Sequence, residues 1–490
     1  VIRRRRLFGL VVLTAATLLG CAAAPRLPKT LEARQEDRET VMAVDLDGDG
    51  RPDAWEYQDA SGRKSAIASA DEQGEPGPRI ELDAISAESC PHFMIVLDGV
   101  PFELVAALYE AGHFRFFHPP RRVISCYPAM TDLAMADLVG VGPCRAFQAR
   151  HFDRDANRLV EGNDAYLSAS NSPWVAHMAY RCSFWWDTLV YLNPQAVFNH
   201  ELAGILKTFG DIDAGRAIAY SVGTAGLGTR GGAEAIRAYL RTLDGLCERL
   251  VHERQGRVKI TLTADHGQNL VPNRRVIFDA WLKTCGYRPA KSLRDGQDVV
   301  PLSYGLVTYA AFHTRDAAGV AACLARHADV SFAAYRAGEC VVVTDGRGTG
   351  RIRKATGGFA YEDEGGDVLA LKPIVDRLRD AGHVDARGII DDEALLRATV
   401  GHVYPDPLSR LWRAFFELVE QPPDVIADLP PGVCHGSGFF HAMIGDPAST
   451  HGSLRQRNST TFVLTMLGEV PQPIRTRDLM GALERLLGAE

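Results

Sequence analysis

The sequence predicts a layered α/β protein, and two patterns carry that prediction. Short apolar, β-branched runs stop at a carboxylate: Phe93-Met-Ile-Val-Leu ends at Asp98-Gly, and Leu262-Thr-Ala ends at Asp265-His266-Gly. Such runs mark parallel strands buried on both faces, and a polar residue at their end falls at the carboxyl edge of the sheet, where open α/β sheets place their sites. From Cys90 onward, β-rich runs alternate with amphipathic stretches. The clearest helix is Ala233–His252, apolar every three or four residues, which leads through Gln255-Gly-Arg into a strand over Val258–Ala264. With 490 residues, 46% of them hydrophobic, the chain can bury one large core and carry smaller additions.

The N-terminal residues read differently. Arg3–Arg6 precede the apolar run Leu7–Leu19, which ends Leu18-Leu19-Gly20-Cys21. A positive start, an apolar stretch too short to span a bilayer and small residues before Cys predict a lipoprotein signal peptide over 1–21, with lipid on Cys21 anchoring the chain to a membrane. An ordinary cleaved signal or a weak anchor helix fits the same residues. Resemblance to bacterial lipoproteins, with Ala22 after the Cys, implies the cell envelope and favours the outer membrane, facing periplasm or surface. Loss of residues 1–20 removes four Arg and no acid, leaving 50 basic against 61 acidic residues, so nucleic acid is not an expected partner. Nine Cys follow Cys21 with no Cys-x-x-Cys pair; an odd number leaves at least one thiol free and the pairing open.

Residues 22–40, rich in Ala, Pro and charge, read as a tether. Residues 41–88 read as a calcium-loop module. Asp45, Asp47, Asp49, Asp53 and Glu56 fall at loop positions 1, 3, 5, 9 and 12 with Gly50 at 6, a spacing that suits Ca2+. A solvated acidic turn in a hairpin is the alternative. Asp71-Glu-Gln-Gly-Glu-Pro-Gly is a degenerate echo without a full ligand set.

The chemistry lies further on. Asp98, Asp265 and His266 form an Asp/Asp/His set suited to Zn2+. Thr131 stands 33 residues after Asp98, behind Tyr127-Pro-Ala-Met, and opens the helical stretch Asp132-Leu-Ala-Met-Ala-Asp. By itself it reads as a helix cap as readily as a nucleophile. A fourth segment is Ser449-Thr-His451-Gly. In this order the four segments resemble the alkaline phosphatase superfamily, most closely its nucleotide pyrophosphatase/phosphodiesterase branch, over roughly Pro91–Gly468.

The resemblance implies an alkaline-phosphatase-like three-layer α/β/α sandwich over 89–490 with a cap insertion at about 273–425. It also implies metal-dependent hydrolysis of a phosphate-ester substrate, a diester or monoester. Thr131 would be the nucleophile, and Asp98, Thr131, Asp265, His266 and His451 the metal-binding residues. Two-metal members carry a further Asp-x-x-x-His; here Ala225 and Thr229 fall at those places and leave His451 alone at the other metal. His435 and His441 could be recruited, or could be ordinary loop histidines. Cys126-Tyr-Pro128-Ala-Met130 lacks the Arg that a sulfatase turn requires, so Cys126 reads as a packed thiol.

Three readings stay open: an active hydrolase with one firm metal and a weak or absent second; an impaired relative that binds a phosphorylated ligand or partner; and a structural lipoprotein whose metal is calcium. For the anchor, Cys21→Ser is expected to release the protein into the soluble fraction or stall it unprocessed, as fractionation and mass analysis would reveal. Unchanged processing and membrane retention would refute the lipid.

Overall fold

A computed structural model describes residues 27–161 and 172–488; the signal segment and Cys21 lie outside the described residues. The N-terminal part is a five-stranded antiparallel sheet of β1 (Lys29–Glu36), β2 (Glu39–Asp45), β3 (Ala54–Gln58), β4 (Lys64–Ser69) and β5 (Ile80–Glu81), paired in sequence order. β1 corrects the tether expected over 22–40. All eight of its residues are exposed, and backbone pairing with β2 from Lys29↔Asp45 to Glu36↔Glu39 is what places it. An edge strand with no buried face has no hydrophobic period to read.

The main sheet comprises β6 (His92–Leu97), β7 (Arg121–Ile124), β8 (Arg216–Ser221), β9 (Lys259–Ala264), β10 (Thr460–Thr465) and β11 (Ile474–Arg475), in the order β8-β6-β9-β10-β7-β11. β8, β6 and β9 run parallel in register, and β10 is antiparallel to both of its neighbours. β6, β9 and β10 are buried at every position. Helices cover both faces: α1 (Phe102–Glu110), α2 (Thr131–Val139), α3 (Phe184–Leu189), α4 (Pro194–Gly210), α5 (Gly223–Glu253) and α6 (Thr476–Leu486). Strand alternation divides the core. Phe93, Ile95 and Leu97 face α1, α4 and α5, whereas Met94 and Val96 face Met135 and Leu138 of α2 and Leu479 and Leu483 of α6. The result is a three-layer α/β/α sandwich.

Between β9 and β10 the chain builds a second, mostly antiparallel sheet of nine strands, from Arg288–Pro289 to Ile389–Asp391. The strand Val425–Asp428 lies inside this sheet, between Tyr309–Thr314 and Phe332–Ala337. The inserted segment therefore runs past 425. Parallel pairing of Arg274–Val276 with Val433–His435 forms its neck. Apolar residues of α2 and of helix Pro407–Phe416 share one cluster with this sheet, among them Leu133, Leu411, Phe415, Val341 and Ile352. A disulfide joins Cys285 to Cys323, the pairing that spacing left open; the other described cysteines are free. No helix among the described residues is long and apolar enough to cross a membrane.

The N-terminal sheet is tied to α5 by charge. Glu56, fully buried on β3, meets Lys64 Nζ at 2.5 Å and His252 Nε2 at 2.9 Å; Lys64 also reaches Glu248 at 2.8 Å. Burial raises the Glu56 carboxyl most, but the charges and hydrogen bonds of Lys64 and His252 together outweigh it and hold the group below the ordinary range. Glu56→Ala leaves buried cationic partners short of a counter-charge and is expected to cost about 3 kcal/mol. Urea unfolding measures this, and a change below ~0.5 kcal/mol, the usual range of surface substitutions, would show that the cluster does not secure the sheet.

Candidate metal centre and nucleophile

β6 and β9 end side by side. Leu97 pairs with Ala264, so Asp98 and Asp265 emerge level with one another, about 4.8 Å apart across the sheet. Each strand is followed by a glycine that the geometry requires. Gly99 has φ +67°, and a Cβ there would lie 2.7 Å from Gln268 Nε2; a Cβ on Gly267 would lie 2.0 Å from the Arg457 carbonyl.

Each carboxylate has one oxygen committed and one not. Asp98 Oδ2 accepts from the Tyr220 hydroxyl at 2.6 Å. Asp265 Oδ1 accepts from the Gly99 and His266 N–H groups at 2.9 and 2.8 Å. Asp98 Oδ1 and Asp265 Oδ2 are buried without a hydrogen-bond partner. His266 completes the group. Its Nδ1 lies 3.0 Å from the Gly267 carbonyl, which can only accept, so Nδ1 is assigned the proton and Nε2 presents a lone pair. That nitrogen lies 3.4 Å from Asp265 Oδ2 and 3.8 Å from Asp98 Oδ1.

Ligand atoms of all three residues thus lie within 4.8 Å of one another. At an effective dielectric of ~20 two carboxylate charges this close repel by about 3 kcal/mol. Burial, then the Asp265 charge, pushes Asp98 well above the ordinary range; burial pushes Asp265 up to about 6 and His266 down to about 4. Two carboxylate oxygens and a neutral imidazole form a donor set that fits zinc or a similar divalent ion.

Thr131 faces this group. It is the first residue of α2, after Met130 in extended backbone, and no side chain caps the helix. Its Oγ1 lies 3.4 Å from His266 Nε2, so the hydroxyl is turned to the metal group and does not cap the helix. The turn before it is anchored from several directions. The buried Arg410 guanidinium donates to the Cys126 and Leu454 carbonyls at 2.9 and 3.0 Å, and Ala129 N–H to the Gly452 carbonyl at 3.2 Å. Burial pushes the Cys126 thiol up to about 12, as expected of a packed cysteine.

His451 stacks on His266 with ring centroids 4.1 Å apart, and its Nδ1 donates to the Ala129 carbonyl at 2.8 Å. It abuts the centre but is not one of the three clustered ligands. Ala225 and Thr229, on the first turns of α5, line the same cavity of about 220 Å³ as Asp98, Thr131 and His451. Both positions therefore fall at the cavity wall, and neither side chain is a strong metal donor. His435 faces the Val276 and Leu302 carbonyls, His441 pairs with Asp446, and neither lines the cavity.

The acidic N-terminal loop gathers only part of its expected set. Ligand oxygens of Asp45, Asp47 and Asp49 lie within 4.8 Å of one another. Asp53 Oδ2 instead accepts from the Leu46 and Asp47 N–H groups at 2.7 and 3.2 Å. Glu56 is corrected outright: it is a buried strand residue engaged with Lys64 and His252. β3 begins at Ala54, so the loop gives way to a strand before position 12.

Residue patterns did not single out Tyr220, Arg181, Asp187 or Glu201. Glu201 is buried and accepts from Val222 and Gly223 N–H at 3.0 and 2.8 Å, fixing the start of α5; burial pushes it up to about 7. Tyr220 heads the segment that carries Ala225 and Thr229, five and nine residues on.

No family model and no curated protein sequence matches the chain. Among solved structures it is similar to phosphonoacetate hydrolase from Sinorhizobium meliloti 1021 in complex with phosphonoacetate, with TM-score 0.42 and 12% identity over 84% of this chain and 97% of that one. It is also similar to human ectonucleotide pyrophosphatase/phosphodiesterase 5, with TM-score 0.44 and 11% identity over 81% of this chain and 94% of that one. Likenesses at these scores lend no weight to any activity, which has to be argued from the site.

Elemental analysis after zinc loading and dialysis is expected to give about one tightly held ion in the core, lost on Asp98→Asn or Asp265→Asn, since a tetrahedral site needs its ligands complete. Chelation of the acidic loop is separated by comparing Asp45→Asn. Full zinc retention in both core variants would exclude this centre.

Proposed function

We propose that the chain hydrolyses phosphate esters, with Thr131 as nucleophile beside one divalent metal held by Asp98, Asp265 and His266. The observation that carries this reading is the approach of the Thr131 hydroxyl to within 3.4 Å of His266 Nε2, at a buried group whose remaining carboxylate oxygens have no partner. It agrees with what the resemblance to the alkaline phosphatase superfamily implies.

A bound divalent ion would supply Lewis-acid charge to the nucleophile and the phosphoryl oxygens. Asp98 and Asp265 are held for that purpose by Tyr220, Gly99 and the His266 N–H, which fix the direction of their free oxygens. Thr131 sits at the positive end of α2, which with Met130 and Asp132 lines the cavity and favours a phosphate there. Its Oγ forms the new bond to phosphorus as the bond to the leaving oxygen breaks, the hydroxyl proton passing to solvent and the leaving oxygen taking one up as the alcohol; water then cleaves the phosphothreonine to regenerate the hydroxyl and release phosphate or its monoester. Leu306 and Val307 of the inserted segment form one wall of the cavity. The proposal includes the cell envelope as the place of action, through lipid on Cys21.

A second reading, binding of a phosphorylated ligand without efficient turnover, is favoured by one observation: Ala225 and Thr229 offer no strong metal donor where the cavity has room for one. Steady-state turnover of an aryl phosphodiester and an aryl phosphomonoester by the zinc-loaded protein decides between the two. Hydrolysis that falls at least 1000-fold on Thr131→Ala, with zinc retained, is expected. Turnover that survives this substitution would remove Thr131 from the reaction, and absent turnover with intact phosphate binding would favour the second reading.

A further inference from the structure

We propose that Arg181 supplies, by direct contact with the phosphoryl group, the positive charge that Ala225 and Thr229 leave missing. This rests on the phosphate-ester reading and specifies how the site manages with one metal. Among the described residues lining the cavity, Arg181 is the one Lys or Arg. The other charged groups there, Asp98, Asp132 and Asp187, are acids, so a substrate anion entering the cavity meets carboxylates at several points. One divalent ion offsets two ligand carboxylates and leaves little net charge for a phosphate.

The sheet fixes where Arg181 emerges. Ala179 N–H donates to the Ile218 carbonyl at 2.8 Å and Tyr220 N–H to the Tyr180 carbonyl at 2.9 Å, and Tyr180 makes a parallel bridge to Ala219. The segment thus lies along the outer edge of β8, joined to it by a single parallel bridge. Ala219 is level with Ile95, so Arg181 is level with Val96, two residues short of Asp98. Two strand spacings, about 10 Å, separate its backbone from β6. Its side chain lines the same cavity of about 220 Å³ as Asp98 and Thr131.

Asp187 on α3 lies 3.7 Å from the guanidinium, a spacing that orients the charge without engaging the carboxylate in a close two-point pair. The side chain is 27% exposed and so remains open to a ligand. A guanidinium presents several donors in a planar fork, which suits tetrahedral oxyanions, and Lys reproduces the charge but not the fork. The ion pair with Asp187 alone would be a purely structural use of Arg181, and the two uses differ in phosphate affinity.

The test compares wild type with Arg181→Gln and Arg181→Lys, each zinc-loaded. Inorganic phosphate affinity is read by calorimetry, bound zinc by elemental analysis and folding by thermal melting. The expected result is phosphate binding weakened at least tenfold in Arg181→Gln, with an intermediate value in Arg181→Lys and zinc content unchanged in both. Where the wild type turns over an aryl phosphodiester, kcat/KM is expected to fall roughly 100-fold in Arg181→Gln. Phosphate affinity within twofold of wild type in a folded Arg181→Gln protein overturns the proposal. If that happens while Thr131→Ala still abolishes turnover, the hydrolase reading stands and Arg181 alone falls. Should the wild type show no turnover, phosphate affinity still decides the role of Arg181.

Discussion

Two carboxyl groups and one imidazole, all buried, converge on a single place, and much of the surrounding structure serves to keep them there. Mutual repulsion of this kind does not persist in a folded core unless a cation occupies it or a proton is taken up. The backbone contributes as much as the ligands. Parallel register between β6 and β9 sets Asp98 and Asp265 level, glycines at 99 and 267 let the chain turn away at once, and N–H groups commit one Asp265 oxygen so that the other is left facing the centre.

Around that centre the layers have separate tasks. The main sheet positions the candidate ligands, α2 positions the threonine, and a loop of the inserted segment walls the cavity while the inserted sheet packs its core against α2. Arg410 links these parts, because its buried guanidinium binds carbonyls on the turn before Thr131 and on the chain leading into β10. At the far end of α5, the helix whose first turns carry Ala225 and Thr229, the buried Glu56–Lys64–Glu248–His252 cluster seats the N-terminal sheet. That sheet is thus built onto the α/β core through shared buried charge.

The parts legible in the sequence were those with a strong local pattern. Strands ending in Asp98 and Asp265 announce themselves because a strand buried on both faces is almost wholly apolar, so a carboxylate at its end stands out. Thr131 was legible by its place before a helix, although only the fold turns its hydroxyl toward His266. What escaped depends on partners distant in sequence. β1 has no apolar face; Glu56 resembles a loop ligand until its strand buries it against α5; the insertion continues past 425 because an interior strand of its sheet arrives last in the chain. Arg181 belongs to no motif, and only the fold places it at the cavity.

The central claim is that Thr131 becomes covalently phosphorylated during turnover. Acid quenching of the zinc-loaded protein shortly after mixing with an aryl phosphodiester or phosphomonoester, followed by peptide mass analysis, tests it directly. The account predicts a phosphoryl or alkylphosphoryl group on Thr131, absent from protein lacking Asp265. Turnover with the modification on another residue, or with none trapped under conditions where product release is demonstrably slower than chemistry, would contradict it.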